Sequence, residues 1–211
     1  SGFLEKYGQG MPTTTEELYA FLTWVRDADA NGNGDPADEI GWTGSAYSQI
    51  PYARPTDFLM NAFTLQDGEG YYVQDGVIHY AVTEDSYRNG LRFLRRLMAE
   101  GLMDPDYADH SSTETHLAAV EQGGGDTVAC VSAMRRTDFS DDPKIREQYI
   151  AVPPLTGPDG LRYTLYDPYA PLQVPYSFSS NAAERSHVVG TSVAMIPKSS
   201  RIPEVAMAFL D

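Results

Sequence analysis

The order of apolar and polar positions divides the chain into alternating helices and short strands. After Met11-Pro12-Thr13-Thr14-Thr15-Glu16-Glu17, the residues Leu18, Phe21, Leu22 and Val25 recur three or four apart, which puts them on one helical face. Thr14 followed three residues on by Glu17 has the form of a capping box, in which two side chains satisfy two orphan backbone N–H groups. The helix runs into Asp27-Ala28-Asp29-Ala30-Asn31-Gly32-Asn33-Gly34, where glycines and side-chain-to-backbone hydrogen bonds stop it. Ile40-Gly41-Trp42 predicts the end of a short strand. A polar, aromatic loop then carries Ser45, Tyr47, Ser48, Gln49, Tyr52 and Arg54. A second helix is predicted from Thr56 or Asp57, burying Phe58, Leu59, Ala62 and Phe63.

From Tyr71 to Tyr80 the pattern is that of a hairpin, with Asp75-Gly76 supplying the positive φ angles of a tight two-residue turn. A long helix is predicted over 84–100, with Tyr87, Leu91, Leu94 and Met98 along one stripe and Gly101 ending it in the left-handed conformation. Another helix is expected over 112–121, and Gly123-Gly124-Gly125 leads into a strand over 128–132. A strand about 149–152 meets Pro153-Pro154, and Pro158-Asp159-Gly160 makes a turn. Residues 167–183, rich in proline, serine and tyrosine, read as an irregular loop. A buried strand over 188–196 and a helix over 202–210 follow, the helix opened by Pro203. Alternating helices and strands without internal repeats define an α/β domain with a mixed sheet flanked by helices.

Composition narrows the function classes. With 211 residues, 42% of them hydrophobic, the chain can fill a core without disulfide staples. Its 15 Lys and Arg stand against 30 Asp and Glu, a net charge of -15, which argues against a nucleic-acid partner and disfavours an anionic membrane surface. Cys130 is the single cysteine, so neither a disulfide framework nor a cysteine-based metal site is available. Its apolar setting, Thr127-Val128-Ala129-Cys130-Val131, reads as a buried thiol rather than a nucleophile. No apolar run reaches membrane-spanning length. The start, Ser1-Gly2-Phe3-Leu4-Glu5-Lys6-Tyr7, lacks the basic, apolar and cleavage regions of a signal peptide, and the last residues stop inside a predicted helix; both ends read as cut from a longer chain.

One motif carries sharp chemistry. In Asp29-Ala30-Asn31-Gly32-Asn33-Gly34, three oxygen-bearing side chains at alternate positions precede a glycine. Side chains at the first, third and fifth positions of such a loop point into one hollow, and glycine at the sixth permits the sharp turn. Asp35 offers its backbone carbonyl at the seventh position, and Asp38 and Glu39 can close the shell. With only oxygen ligands and no histidine or cysteine nearby, calcium is the natural occupant. The twelfth position is Ile40 rather than a bidentate glutamate; a second register begins at Asp27 and places Asp38 at the twelfth. The plainer alternative is a solvated, glycine-rich connection without metal.

At these residues the chain resembles the lipoprotein-type members of extracellular solute-binding protein family 1, the sugar ABC transporter substrate-binding proteins. The resemblance rests on the Pro12-Thr13-Thr14 helix start and on the acidic loop ending in Asp38-Glu39-Ile40. In that family the loop is one residue shorter; the extra residue falls at Pro36-Ala37. Further along, Glu100-Gly101-Leu102-Met103-Asp104-Pro105, the stretch Gln148 to Gly160 with its Pro153-Pro154-Leu155, and Pro203 to Asp211 resemble family segments in family order. The resemblance implies a periplasmic-binding-protein-like (type II) fold, with residues 1–211 forming mainly the C-terminal lobe. The chain would enter that lobe near residue 10 and leave it near 195. The N-terminal lobe, signal peptide and lipid-attachment cysteine would then lie outside this sequence. It implies an extracellular, cell-surface lipoprotein that captures a carbohydrate and passes it to an ABC transporter permease, with calcium as a structural ion and no catalysis.

In such a fold the ligand lies between lobes, where aromatic rings stack on a sugar's C–H face and polar groups meet its hydroxyls. The resemblance puts Tyr52 where a sugar-stacking aromatic belongs; Trp42, Tyr47 and Arg54 are grouped with the same loop, and Met134 and Arg135 follow the 128–132 strand. The metal candidates are Asp29, Asn31, Asn33, Asp35, Asp38 and Glu39. Each aromatic or arginine has an ordinary reading as a half-exposed surface residue. His79, His110, His116 and His187 have no metal-ligand spacing, the glycine run lacks the ending of a phosphate loop, and no nucleophile elbow occurs. The rival from another class is a portion of a secreted glycan-active enzyme. A dockerin-like module would repeat the acidic loop, which occurs once.

Overall fold

The computed structural model describes residues 2–35, 37–46, 54–66, 70–110, 120–121, 125–133, 137 and 139–163. Helix α1 (Gly2–Tyr7) and helix α2 (Thr15–Asp27) come first, then strand β1 (Ile40–Thr43) and helix α3 (Pro55–Met60). The hairpin β2 (Tyr71–Gln74) and β3 (Val77–Tyr80) leads into helix α4 (Asp85–Ala99), and strand β4 (Val128–Val131) and helix α5 (Pro143–Gln148) complete the order.

Helix α2 starts as its sequence requires. The Thr14 hydroxyl accepts from the Glu17 N–H at 3.1 Å, and the Glu17 carboxylate accepts from the N–H groups of Thr13 and Thr14. These bonds, that from the Thr13 N–H foremost, hold the Glu17 carboxyl below the usual carboxylate range. The inward face is Leu18, Phe21, Leu22 and Val25, as the spacing predicts. Together with Leu59, Leu97 and Leu102 they form the centre of the main core. Burying each leucine there contributes about 1.5–3 kcal/mol.

Among the described residues the strands form two two-stranded sheets. β1 and β4 run parallel, with Trp42 opposite Cys130 and Thr43 opposite Val131; β2 and β3 run antiparallel. The hairpin turn has Asp75 at φ 52° and Gly76 at φ 77°, both left-handed, as a type I′ turn demands. Helix α4 ends in a double cap in which the Leu102 N–H reaches the Leu97 carbonyl at 2.8 Å and the Gly101 N–H reaches that of Met98 at 3.1 Å, with Gly101 at φ 68°.

Two expectations need correction, and one helix was not foreseen. The buried face of α4 is Gly90, Phe93, Leu94 and Leu97, whereas Leu91 and Met98 are 48% and 39% exposed. The helix rotates this way because Gly90, lacking a side chain, seats against Met60 and Phe63 of the α3 region. No strand forms over 149–152, which leaves Ile150 exposed; Pro153 and Pro154 cannot donate to a ladder, and pairing resumes only at Thr156, in isolated bridges to Thr14 and Arg162. Helix α5, not expected from periodicity, is instead set by its start: Asp142 accepts from the Lys144 N–H at 2.8 Å and Pro143 takes the first turn. The helix expected over 112–121 lies outside the described residues except for Val120 and Glu121, and the segments expected over 167–183, 188–196 and 202–210 lie outside them entirely.

Candidate functional site

The parallel pair gives the site its frame. β1 and β4 end at the same edge, where the Ser132 N–H donates to the Thr43 carbonyl at 3.0 Å. From that edge the chain continues into the two segments that carry the ligand candidates, the one through Tyr47 and Tyr52 to Arg54 and the one through Met134 and Arg135. Tyr47, Tyr52, Met134 and Arg135 themselves lie outside the described residues. In open α/β sheets the crevice beyond the carboxyl ends of the strands is where ligands bind.

Trp42 stands on β1 and not in the loop with which the sequence grouped it. It is 3% exposed, its indole N–H donates to the Ser132 hydroxyl at 2.8 Å, and its ring is tilted against Phe58 with centroids 5.4 Å apart. Arg54 directly precedes α3, its Nε 2.8 Å from the Asp57 carboxylate. Burial raises the Asp57 carboxyl above its ordinary range, against the lowering pull of the Arg54 guanidinium.

The residues that sequence reasoning missed lie beneath this edge. Asp104, 4% exposed, accepts the Thr43 hydroxyl at 2.5 Å and the Asp106 N–H at 2.9 Å. His110 Nδ1 lies 3.0 Å from the Gly44 carbonyl, and the Ser45 hydroxyl donates to the His110 carbonyl at 2.6 Å. The cue at hand was Asp104-Pro105, three residues beyond the helix stop at Gly101; its pairing with Thr43, 61 positions away, leaves no local signal.

The acidic loop lies at the other end of β1. Asp29 takes a left-handed φ of 40°, and its two carboxylate oxygens accept the N–H groups of Gly32 (2.9 Å) and Gly34 (3.0 Å). Asn31 and Asn33 accept the N–H groups of Asn33 and Asp35, and Asp35 accepts that of Ala37. Asp38 and Glu39 turn back onto the loop: Asp38 receives the Asn33 amide at 2.7 Å and the Asn31 amide at 3.2 Å, and Glu39 Oε1 receives the Asn31 N–H at 3.1 Å. The Lys6 ammonium donates to the carbonyls of Ala30 (2.7 Å) and Asn31 (2.8 Å), tying α1 to the loop. Asp27, the first residue of the alternative register, is engaged by Arg26 at 2.7 Å.

Among the described residues no three acidic, histidine or cysteine side chains are drawn together into a ready-made metal cluster. Asp29 and Asp35 serve local turns, while Asp38 and Glu39 face the two asparagines. One atom fits a cation nonetheless: Glu39 Oε2 is shielded from solvent and has no hydrogen-bond partner. A buried carboxylate oxygen without a donor is costly unless a positive charge reaches it. The oxygen-only donor set is the chemistry of a hard cation.

A parallel strand pair backed by helices, with its loops leaving the carboxyl edge, is the α/β fold of the type II periplasmic-binding-protein-like proteins, as the sequence led us to expect. No family model matches the chain. It is 30% identical over 165 residues to the fructooligosaccharide ABC transporter substrate-binding protein FusA of Streptococcus pneumoniae, a match covering 76% of this chain and 28% of FusA. It is 26% identical over 163 residues to lipoprotein LipO of Bacillus subtilis, covering 76% of this chain and 32% of LipO. The solved structure of an S. pneumoniae FusA EF-hand mutant in complex with fructo-nystose superposes with a TM-score of 0.64 at 25% identity, over 78% of this chain and 32% of that one. The chain is thus homologous to part of FusA, an ABC transporter substrate-binding protein, in sequence and in fold. It spans 28% and 32% of the lengths of the two curated relatives it matches.

Proposed function

We propose that this chain is mainly the C-terminal lobe of a two-lobed, extracellular, lipid-anchored binding protein that captures an oligosaccharide and delivers it to the permease of an ABC importer. No bond is made or broken; two lobes close over the ligand by hinge motion, and the transporter recognises the closed form. The observation that carries this reading is that both candidate loops spring from one carboxyl edge of the parallel pair β1–β4. Tyr52 and Tyr47 are the aromatic residues this reading assigns to the sugar, with Arg54, Met134 and Arg135 as its further contacts. Trp42 acts from beneath, holding the strand ends together. Relatedness to FusA, a fructooligosaccharide-binding protein, supports an oligosaccharide as the ligand class.

A calcium ion belongs to the same reading, held by Asp29, Asn31, Asn33, Asp38 and Glu39 with the Asp35 carbonyl. Its role is structural: it neutralises the carboxylates and fixes the end of α2 against the start of β1. The Asp29 register is supported by the engagement of Asp27 with Arg26 and by the unpartnered Glu39 oxygen.

The test is ligand-dependent melting of the full-length protein against a panel of fructo-oligosaccharides and other glycans, with each sugar recovered and analysed afterwards. A sugar that raises the melting temperature and is recovered intact supports the proposal. Cleavage of the sugar, or flanking sequence that encodes a catalytic domain, overturns it.

A further inference from the structure

The acidic loop contains two Asn-Gly steps, Asn31-Gly32 and Asn33-Gly34, and a single carboxylate holds the glycine nitrogen of both. In such a step the glycine backbone nitrogen is unhindered and can attack the asparagine side-chain carbonyl carbon, closing a five-membered ring. Here Asp29 Oδ1 accepts the Gly32 N–H at 2.9 Å, and Asp29 Oδ2 accepts the Gly34 N–H at 3.0 Å. The side chains open to attack are held as well. Asn31 Oδ1 accepts the Asn33 N–H at 2.9 Å, Asn33 Oδ1 accepts the Asp35 N–H at 2.7 Å, and both amides donate to Asp38.

Ring closure requires the glycine nitrogen to give up its proton. A carboxylate at hydrogen-bond distance holds that proton and opposes the negative charge its loss would create. Each asparagine oxygen is turned onto the N–H two residues on, so the amide carbon is not free to swing onto the next nitrogen. The two steps are not equally guarded. The Gly32 N–H also lies 3.0 Å from the Asp29 carbonyl, a contact that outlasts loss of the Asp29 side chain, and Asn31 is half-buried. Among the described residues the Gly34 N–H has the Asp29 carboxylate alone, and Asn33 is exposed to the water that completes the reaction.

We propose that Asn31 and Asn33 are latent deamidation sites and that Asp29 keeps them unreacted by holding the two glycine nitrogens. When the contact at Gly34 opens, its nitrogen bonds to Asn33 Cγ and the Cγ–Nδ2 bond breaks. Nδ2 leaves as ammonia, carrying the proton that Gly34 gave up. Water then opens the imide at either carbonyl and leaves aspartate or isoaspartate at position 33; nothing is oxidised or reduced. The product no longer fits its place, because the Asn33 amide that donates to Asp38 at 2.7 Å becomes a carboxylate facing a carboxylate. Like charges so close repel, so reaction at one step loosens the loop around the other. The proposal requires neither a sugar nor a metal ion.

The experiment ages the full-length protein at mildly alkaline pH with a chelator present, as wild type, Asp29→Ala and Asp29→Asn. The last leaves one acceptor oxygen for two N–H groups. Peptide mass spectrometry reads the conversion at each asparagine, and urea-unfolded wild type gives the unguarded rate. A third Asn-Gly step, Asn89-Gly90 inside α4, reports whether a variant is still folded. Folded wild type is expected to react far more slowly than the unfolded chain at both Asn31 and Asn33. Asp29→Ala is expected to convert Asn33 about tenfold faster than wild type, as when a local opening equilibrium loses one hydrogen bond to a charged acceptor. Asn31 follows more slowly, Asp29→Asn falls between, and Asn89 stays intact. Equal rates at Asn33 in wild type and folded Asp29→Ala overturn the proposal, as does folded wild type reacting there as fast as the unfolded chain. If Asn89 also reacts in Asp29→Ala, that variant has unfolded and Asp29→Asn decides: faster conversion of Asn33 with Asn89 intact sustains the guard, and the wild-type rate removes it.

Discussion

The indole N–H of Trp42 donates to the Ser132 hydroxyl across 2.8 Å, joining β1 to the residue just beyond β4 at their common carboxyl edge. Both residues are nearly closed to solvent, at 3% and 6% exposure. In Ser132→Ala the indole keeps its buried position and loses its acceptor, which costs about 1–3 kcal/mol. Urea unfolding should show a lower midpoint with an unchanged slope. A midpoint equal to wild type means that another acceptor takes the indole, and the bond then has no special weight.

Gly41 is the tightest point between β1 and the segment after α4. A Cβ built there runs into the Leu102 carbonyl and comes within 3.4 Å of Leu22 Cδ2. The obstacle is backbone that is itself held by the cap of α4, so it cannot swing aside. Gly41→Ala is expected to lose about 3 kcal/mol or more, the upper range for overpacking a filled core. The same change at Gly76, at φ 77° with open space around it, is expected to cost only about 1 kcal/mol of backbone strain. Thermal melts of the two variants side by side give the order; equal losses would show that β1 and Leu102 can part without penalty.

The sequence revealed local chemistry better than it revealed faces. The capping box at Thr14 and Glu17, the Asp75-Gly76 turn and the Gly101 cap each depend on backbone groups a few residues apart, so the local sequence determines them. Helix α4 carries two overlapping apolar stripes, and periodicity favoured the one through Leu91 and Met98. Which stripe turns inward depends on Met60 and Phe63, some thirty residues away, and the cue was Gly90, the one position on the helix able to admit them. At the site, the turns at Asp29, Asn31 and Asn33 were legible because short polar side chains bond their own neighbouring backbone. The clamp of Asp104 on Thr43 was not, because it joins residues 61 positions apart.

The acidic loop gives a prediction with a direct readout. If calcium occupies it, chelation lowers the melting temperature and added calcium restores it, the gain reaching about 2.7 kcal/mol when free calcium is a hundredfold above its dissociation constant. Glu39→Gln keeps the acceptor for the Asn31 N–H and removes the charge, so it should abolish the calcium response while leaving the metal-free melt close to wild type. Asp29→Ala should also lower the metal-free melt, because it removes the acceptor for the N–H groups of Gly32 and Gly34. A wild-type melt indifferent to both chelator and calcium would falsify the metal assignment.

Alkaline pH should expose the burial of Cys130. Removal from water pushes its thiol from an ordinary 9.0 up to about 12. Between those values the unfolded chain has given up the thiol proton and the folded chain has kept it. The unfolded state then binds fewer protons, so stability is full below pH 9 and falls as pH rises, with a slope approaching about 1.4 kcal/mol per pH unit. Burial also raises the Tyr149 phenol, whose hydroxyl donates to the Val128 carbonyl at 2.7 Å, and that adds to the loss above the ordinary tyrosine range. Urea midpoints measured from pH 8 to 10.5 should therefore decline in the wild type. They should decline less steeply in Cys130→Ala, where only the tyrosine contribution remains at the upper end. The same burial predicts that a thiol reagent modifies Cys130 at pH 8 only as fast as the protein unfolds; modification proceeding much faster than unfolding, or equal slopes in the two proteins, would place the thiol at the surface and remove both expectations.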